Sequence, residues 1–241
     1  TNDQQMLGAL VAAHSFRKHS RHADRFEVRL LRLEDTPHLH RREGQTYLRK
    51  AQSAIWHNDD LQSFSPLRMM VPQLMHFEGR ALVTDPDVFS VGGDVFELLD
   101  GDMRGKALWC RNLPAEHGGG PGKWASSVML LDCARLSDWR WDEQIDAMFD
   151  GQLDYKPWIQ LAHQDAASIG ELPAVWNSLD ELNDETRLLH MTERLTQPWK
   201  TGLPIDFDMN TQGAAGRARR WLRERGVLSA KATSRIRRWR S

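Results

Sequence analysis

The sequence predicts an α/β protein with one principal domain. Its 241 residues are enough to bury the core of a single α/β domain. Short apolar runs that are typical of buried strands alternate with longer segments whose apolar residues follow a helical spacing. This alternation predicts a sheet flanked by helices.

The composition excludes membrane-spanning proteins and disulfide scaffolds. Hydrophobic residues make up 40% of the sequence and charged residues 27%, and no apolar run approaches the ~20 residues that a membrane span needs. Cys110 and Cys133 are too few for a disulfide framework and too far apart for a metal knuckle, so both are expected to be buried apolar residues. No secretory signal is found near Thr1. These observations predict a cytoplasmic protein.

The first elements are a helix and a strand. Apolar residues recur at spacings of three and four from Met6 to Phe16, which predicts a helix over residues 3–20. Asp3 is placed to cap the start of this helix. Residues 26–33 alternate weakly between apolar and polar side chains, which predicts a strand.

A second helix and strand lead to a pair of carboxylates. The spacing of apolar residues predicts a helix over residues 59–75 with Pro66 in its first turn. The apolar run that follows is typical of a buried strand, and it ends at Asp85 and Asp87. Ligands of open α/β sheets bind at the carboxyl ends of strands, and residues i and i+2 share one face. Both carboxylates are therefore predicted to reach one divalent cation.

The remaining elements are short, and the last of them ends in a histidine. The glycine-rich loop at residues 118–122 lacks the Lys-Ser/Thr helix start of a phosphate-binding loop. Residues 188–190 form an apolar run whose final residue, His190, has a side chain that can ligate a metal. The elements predicted in between are a helix at 95–99, strands at 107–110 and 128–131, a mainly helical stretch at 142–170 with a break near Pro157, and an extended stretch at 172–177.

The charge distribution divides the chain into residues 1–212 and a basic tail, residues 213–241. Residues 217–241 carry ten Lys/Arg against Glu224 alone, whereas the rest of the chain carries 22 basic and 32 acidic residues. Such a segment, interleaved with Trp221 and Trp239, suits an anionic membrane surface or nucleic acid. In the first case the protein is peripheral on the inner face of the membrane. The other interpretation is a solvated helix that packs its apolar residues on the body of the protein.

The carboxylate pair and the distant histidine predict a metal site. Mg²⁺ and Mn²⁺ prefer carboxylate oxygens, and Mn²⁺ also accepts an imidazole. Asp85, Asp87 and His190 would leave open positions for phosphate oxygens, and the ion would neutralise a diphosphate leaving group. A metal-dependent nuclease would need more acidic ligands than the sequence groups together, so no nucleic-acid partner is expected. A glycosidase acid/base couple is also disfavoured, because one cation would occupy both carboxylates.

Several motifs occur in a fixed order between residues 60 and 204. In chain order, they are a helix with Arg68 and Pro72, a strand ending in Asp85-Pro86-Asp87, a Val-Gly-Gly-Asp turn, the strand at 126–132 with Trp139 after it, His163-Gln164-Asp165, Leu172-Pro173 through Trp176-Asn177, and His190 followed by Pro198-Trp199-Lys200-Thr201-Gly202. This order resembles the retaining glycosyltransferases of family 8, the group of glycogenin and the lipopolysaccharide galactosyltransferases.

The resemblance implies the GT-A fold, a single α/β domain with a mixed central sheet flanked by helices. It implies that Asp85, Asp87 and His190 hold Mn²⁺, or Mg²⁺, and that Gln164 and Asp165 act near the reacting carbon. The residues that the resemblance places around a nucleotide-sugar donor are Thr84, Arg68, Ser127, Trp199, Lys200 and Gly202, with Lys200 and Gly202 at the diphosphate.

The implied function is transfer of a hexose from a nucleotide diphosphate sugar, UDP-linked by the resemblance, to a glycan or lipid-linked acceptor with retention of configuration. The chain departs from the family pattern at Ala125, His163 and Gln197. These departures support an alternative, a catalytically inactive relative that binds a glycan or a membrane surface. The family has a strand before the helix at 3–20, so we expect the natural chain to extend upstream by about ten residues.

Overall fold

The computed structural model of the chain describes residues 1–120, 122–194, 197–200, 218 and 221–222. The chain divides into two compact units, Thr1–His190 and Met191–Ser241. Most of the basic tail at 213–241 lies outside the described residues, so the predictions made for it stay predictions. Among the helices that the structure describes, none is long and apolar enough to cross a membrane.

The first unit contains both helices and strands. The α-helices are α1 (Met6–Lys18), α2 (Pro37–His40), α3 (Val71–Leu74), α4 (Val95–Asp100), α5 (Trp141–Phe149) and α6 (Tyr155–Ile159). The strands are β1 (Thr46–Arg49), β2 (Gln52–Ile55), β3 (Arg80–Thr84), β4 (Val88–Ser90), β5 (Leu108–Asn112), β6 (Trp124–Asp132), β7 (Ile169–Glu171), β8 (Ser178–Leu179) and β9 (Leu188–His190). Short 3₁₀ helices occupy Asp3–Gln5, Ser65–Met70, Ala115–His117, Cys133–Arg135, Ala166–Ser168 and Ala174–Trp176.

The central sheet is mixed, which confirms the predicted architecture. Its strand order is β3-β6-β5-β7, with antiparallel pairs except for β5 and β7, which are parallel. A second sheet has the order β4-β9-β8, in which β4 and β9 are antiparallel and β8 and β9 are parallel. Residues 85–87 join β3 of one sheet to β4 of the other. The carboxylate turn therefore lies at the junction of the two sheets.

Strand β6 shows why an apolar run in the sequence predicts a buried strand. Val128 and Leu130 belong to one core cluster, together with Ala12 and Phe16 of α1. Met129 and Leu131 belong to the other, which includes the buried faces of α5 and α6. Successive side chains of a strand point to opposite faces. Because helices cover both faces of the sheet, nearly every residue of β6 is buried, and its residues 128–131 are continuously apolar.

The helix predicted at residues 3–20 is present as a 3₁₀ turn followed by α1. Its cap is Asn2, whose side-chain oxygen accepts the Gln5 N–H at 3.2 Å. Asp3 instead pairs with Arg32 at 3.0 Å. The prediction that Asp3 caps the helix was wrong, because the first turn begins one residue earlier than the apolar spacing indicates.

The strand predicted at residues 26–33 is not formed. The backbone of Thr1 accepts the Leu33 N–H at 2.9 Å, and the Thr1 amino group donates to the Leu31 carbonyl at 2.6 Å. No longer ladder runs along this segment in the described part of the chain. A strand needs a partner strand as well as an alternating pattern, and the alternation alone cannot reveal the partner.

Three other boundaries differ from the prediction. Residues 59–64 form turns in which side chains bond to the backbone, as in the 2.6 Å bond from Ser63 Oγ to the Asn58 carbonyl, and such bonds compete with helix. The predicted position of Pro66 in the first helical turn is confirmed. The stretch at 142–170 breaks at Gly151, which has φ +74°, before Pro157 is reached. Residues 172–177, predicted to be extended, contain a 3₁₀ turn.

Both cysteines are free and buried, as the sequence predicted. Burial raises the pKa of the Cys133 thiol to about 11, and it raises the pKa of Cys110 further. Both thiols therefore stay protonated at neutral pH and act as packing residues.

Candidate metal centre

The Asp-x-Asp turn is anchored to the central sheet. The Asp85 N–H donates to the Ser127 carbonyl at 2.8 Å, which extends the β3–β6 ladder one residue beyond Thr84. The Val88 N–H then donates to the Asp85 carbonyl at 3.2 Å and closes a tight turn. This backbone arrangement holds the two carboxylates at a defined separation.

His190 reaches the same turn through the second sheet. Strand β9 pairs with β4, and this pairing places His190 opposite Val88. Val88 is the residue that directly follows Asp87 in the chain. The Nε2 atom of His190 lies 3.4 Å from Asp87 Oδ1. One ligand atom from each of Asp85, Asp87 and His190 lies within 4.8 Å of the other two. The structure thus brings together the three residues that the sequence proposed as a ligand set.

The donor set fits a hard or borderline divalent cation. Two ligand atoms of one ion lie at most about twice the metal–oxygen distance apart, and this distance is about 2.0–2.6 Å for Mg²⁺ and Ca²⁺. The triad atoms lie within 4.8 Å of one another, which is inside the limit of about 5.2 Å for the longest of these distances and beyond the limit of about 4.2 Å for Mg²⁺. Two carboxylates with one imidazole suit Mn²⁺ best, because it accepts both oxygen and nitrogen ligands.

Arg68 is the charge partner of Asp85. Its Nε and Nη2 atoms donate to the two carboxylate oxygens of Asp85 at 2.7 and 2.6 Å, and its Nη1 donates to Ser126 Oγ at 2.7 Å. The side chains of Arg68 and Asp85 are only 12% and 9% exposed. An ionised carboxylate has about four lone-pair sites, so Asp85 can accept the guanidinium and still bind a metal.

Burial and neighbouring charges both act on the pKa values of Asp85 and His190. Burial raises the pKa of Asp85; the Arg68 guanidinium opposes this rise, and the Asp87 carboxylate adds to it. Burial by itself would lower the pKa of His190, but the nearby carboxylates, Asp87 foremost, raise it more. With both aspartates ionised and His190 neutral, Arg68 compensates only one negative charge. The centre is therefore suited to a cation.

A glycine behind β9 helps to place His190, which leads to a prediction. A Cβ atom on Gly93 would lie 2.7 Å from Arg187 Cβ and 3.0 Å from the Arg187 carbonyl oxygen. We expect Gly93→Ala to displace the start of β9, to destabilise the protein by about 1–3 kcal/mol, and to weaken Mn²⁺ binding. Thermal unfolding and calorimetric titration with Mn²⁺ measure the two effects.

Gly151→Ala is the matched control for this prediction. Its Cβ would meet no atom within 4 Å, although its φ of +74° strains any other residue. It is expected to lower stability by about 1 kcal/mol without affecting Mn²⁺ affinity. Equal Mn²⁺ affinity in the two variants would contradict the role given to Gly93.

Asn177 supports His190 from behind and was not among the predicted site residues. Its Oδ1 lies 3.0 Å from His190 Nδ1, and its Nδ2 donates to Ser127 Oγ at 3.1 Å. Asn177 is fully buried. Ser126, the second partner of Arg68, was also missed. Asn177 belongs to a motif that the sequence does show, but its contact with His190 depends on how the two sheets meet.

Gln164 and Asp165 have defined partners in the structure. Gln164 Oε1 accepts the Trp139 indole N–H at 2.9 Å, and Gln164 Nε2 donates to Ser168 Oγ at 2.8 Å. Asp165 caps the following 3₁₀ turn by accepting the Ala167 N–H at 3.0 Å. Gln164 also lines a cavity, whose other walls include Met69, Asp138, Trp139, Gln144, Trp158, Leu161 and His163.

The other predicted donor-binding residues are divided between the two units. Thr84 and Ser127 lie at the junction where β3 ends, next to the Asp-x-Asp turn. Trp199 and Lys200 lie in the second unit, in the 3₁₀ turn Pro198–Lys200. Gly202 lies outside the described residues. The roles of these residues in binding a donor remain predictions.

Solved structures share this fold at low sequence identity. The galactosyltransferase LgtC, in complex with donor and acceptor sugar analogs, matches with a TM-score of 0.53 and 12% identity over 95% of this chain and 98% of its own. GlyE of Streptococcus pneumoniae TIGR4 matches with 0.56 and 16% over 95% of this chain and 59% of its own. The bifunctional glycosyltransferase WbbM matches with 0.55 and 11% over 83% and 46%.

These matches show that the chain has the GT-A fold of glycosyltransferases. The chain spans nearly the whole of LgtC but only 59% of GlyE and 46% of WbbM. A further LgtC structure is that of an active-site mutant with glutamine replaced by glutamate. No protein-family model and no curated protein sequence matches this chain.

Proposed function

We propose that this protein is a metal-dependent glycosyltransferase. It transfers a hexose from a nucleotide diphosphate sugar, a UDP-sugar in our proposal, to a hydroxyl group of a glycan or lipid-linked acceptor, with retention of configuration. The observation that carries this proposal is the meeting of Asp85, Asp87 and His190 at the junction of two sheets, within a fold that the glycosyltransferase LgtC shares.

The cation fits the role that this chemistry requires. A divalent ion held by Asp85, Asp87 and His190 supplies Lewis-acid stabilisation to the departing diphosphate. The residues of the chain supply the rest. Arg68 fixes Asp85 through two charge-assisted hydrogen bonds, which orients the carboxylate before any donor binds. In our proposal Lys200, together with the backbone at Gly202, holds the diphosphate.

Gln164 is our candidate for the group nearest the reacting carbon. It lines a cavity together with the aromatic residues Trp139 and Trp158. The LgtC mutant structure indicates that LgtC has an active-site glutamine. The bonds to Trp139 and Ser168 hold the Gln164 amide in one orientation. This rigidity suits a group that has to face a developing positive charge.

Release of UDP from a panel of UDP-sugars is the test of this proposal. We expect Mn²⁺-dependent release with at least one UDP-sugar, abolished by EDTA and restored by excess Mn²⁺. The anomeric configuration of a product, followed by NMR at early times, tests retention. A folded protein that neither binds nor hydrolyses any nucleotide sugar in the presence of Mn²⁺ would overturn the proposal.

One observation favours a second candidate, a non-catalytic protein of the same fold. The Gln164 amide is bonded at both ends within the protein, so a substrate would have to share or replace these bonds. In that case we expect binding of a glycan or a membrane surface without UDP release. Calorimetry with Mn²⁺ and UDP separates the two candidates. Metal-dependent binding of UDP that is lost in Asp87→Ala supports the enzyme, and no binding supports the second candidate.

The basic tail leads to a prediction about binding to an anionic membrane surface. Residues 217–241 carry ten Lys/Arg against one Glu, and each basic residue near an anionic lipid surface contributes about 1 kcal/mol. We expect the protein to co-sediment with vesicles that contain phosphatidylserine and to be released at high salt. Replacing Arg235, Arg237, Arg238 and Arg240 with Glu should abolish co-sedimentation. Equal sedimentation with neutral phosphatidylcholine vesicles would contradict a charge-driven contact.

A further inference from the structure

A metal-binding histidine must present a lone pair to the ion, and its other ring nitrogen then needs a hydrogen-bond acceptor. In this protein the two nitrogens of His190 face different groups. Nε2 lies 3.4 Å from Asp87 Oδ1, on the side of the carboxylates. Nδ1 lies 3.0 Å from Asn177 Oδ1, an amide oxygen that accepts hydrogen bonds and cannot donate them. Asp87 Oδ1 is also an acceptor and competes for a proton on Nε2, but the contact with Asn177 is the shorter of the two and favours the tautomer with the proton on Nδ1 and the lone pair on Nε2.

The orientation of the Asn177 amide is set by a further bond. Asn177 Nδ2 donates to Ser127 Oγ at 3.1 Å. The backbone carbonyl of Asn177 is held separately, by a bond from Arg111 Nη1 at 2.7 Å. Asn177 is fully buried, so these bonds are shielded from bulk solvent. A flipped amide would turn its NH₂ group toward His190 and favour the tautomer that cannot bind a metal through Nε2.

Ser127 contacts both the Asp-x-Asp turn and Asn177, the residue that supports His190. Its backbone carbonyl accepts the Asp85 N–H at 2.8 Å, and its hydroxyl accepts from Asn177. Asp85 follows β3 of the central sheet, whereas His190 ends β9 of the second sheet. Ser127 of β6 thus holds the Asp-x-Asp turn through its backbone and holds Asn177, the partner of His190, through its side chain.

We propose that Asn177 and Ser127 are positioning residues that fix the tautomer and the ring orientation of His190 for metal binding. This inference rests on the metal centre of the proposed function and extends it by two residues that do not themselves touch the ion. Residues that orient a metal-ligating histidine typically contribute about 10–100-fold to metal affinity.

The test combines Mn²⁺ titration calorimetry with ¹⁵N NMR of the histidine rings in the metal-free full-length protein, at a pH where His190 is neutral. The His190 signal is assigned by its loss in His190→Gln. We expect a proton on Nδ1 in the wild type. Asn177→Ala should lower Mn²⁺ affinity by about 10–100-fold and shift the proton toward Nε2. Asn177→Asp keeps an acceptor for Nδ1–H, so it should keep the wild-type tautomer, and Ser127→Ala should weaken Mn²⁺ binding less than Asn177→Ala.

Asn58→Ala is the matched control. Asn58 also makes two amide bonds, to the His40 carbonyl at 2.8 Å and with the Trp56 indole at 2.9 Å, and neither bond ends on a triad residue. It should leave both the Mn²⁺ affinity and the His190 tautomer unchanged.

Two results would overturn the inference: a wild-type proton on Nε2, or a folded Asn177→Ala variant with wild-type affinity and tautomer. If Asn177→Ala does not fold, the wild-type spectrum and Asn177→Asp decide the question, and a proton on Nε2 in either of them overturns the inference. If the wild type binds no Mn²⁺, the proposed function fails. The tautomer of His190 still shows whether Asn177 fixes the imidazole ring.

Discussion

Asp87→Ala is expected to abolish metal-dependent sugar transfer. Asp87 is the residue of the triad closest to the imidazole, with 3.4 Å between Asp87 Oδ1 and His190 Nε2. Loss of a supporting residue costs about 10–100-fold in metal affinity, so loss of a ligand should cost at least about 100-fold. A metal acting as a Lewis acid contributes several kcal/mol, and about 4 kcal/mol corresponds to a fall in turnover of about 10³-fold.

The effect on stability should be small, which separates this result from unfolding. Removing Asp87 also removes a like charge beside the buried Asp85. The gain there offsets part of the lost contact with His190. Asp184→Ala, which removes an exposed carboxylate, is the control and should keep full Mn²⁺ affinity and activity. Mn²⁺-dependent UDP release by Asp87→Ala at the wild-type rate would contradict the metal centre.

Arg68→Ala is expected to cause the largest loss of stability. The guanidinium makes a bidentate ion pair with Asp85 and a third bond to Ser126, and both charged side chains are almost buried. Removing one member of a buried pair leaves an unpaired charge and costs about 3–5 kcal/mol. In a protein of this size, 1 kcal/mol lowers the melting temperature by about 2–4 °C. Thermal unfolding followed by circular dichroism measures the change.

The control for Arg68 is an exposed ion pair of the same chemistry. Arg29 and Glu27 lie 2.9 Å apart, and their side chains are 67% and 66% exposed. Such surface pairs contribute about 0–1 kcal/mol, so Arg29→Ala should change the melting temperature little. We also expect added Mn²⁺ to restore part of the stability of Arg68→Ala, because the cation replaces the lost positive charge next to Asp85. Equal melting temperatures for the two variants would contradict the role of Arg68 as the partner of a buried charge.

Local sequence signals predicted the elements that have a local cause. The strand that precedes Asp85 and the strand that ends at His190 were recognisable because each is an apolar run followed by or ending in a polar residue. The first helix was recognisable from the spacing of its buried residues, although its cap was misplaced by one residue. The strand prediction for residues 26–33 was wrong because a strand also needs a partner strand, and none pairs with this segment in the described part of the chain.

The mixed α/β character of the chain and the residue types available to bind a cation could be predicted from the sequence. This was possible because burial on both faces of a sheet leaves continuous apolar runs, and because carboxylates and imidazoles are the side chains that such ions accept. The pairing of β9 with β4, which places His190 beside Asp87, could be seen only in the folded structure, as could the contacts of Asn177 with His190 and of Arg68 with Asp85. These contacts join residues far apart in the chain, and their distances follow from the register of two sheets, which no local pattern encodes.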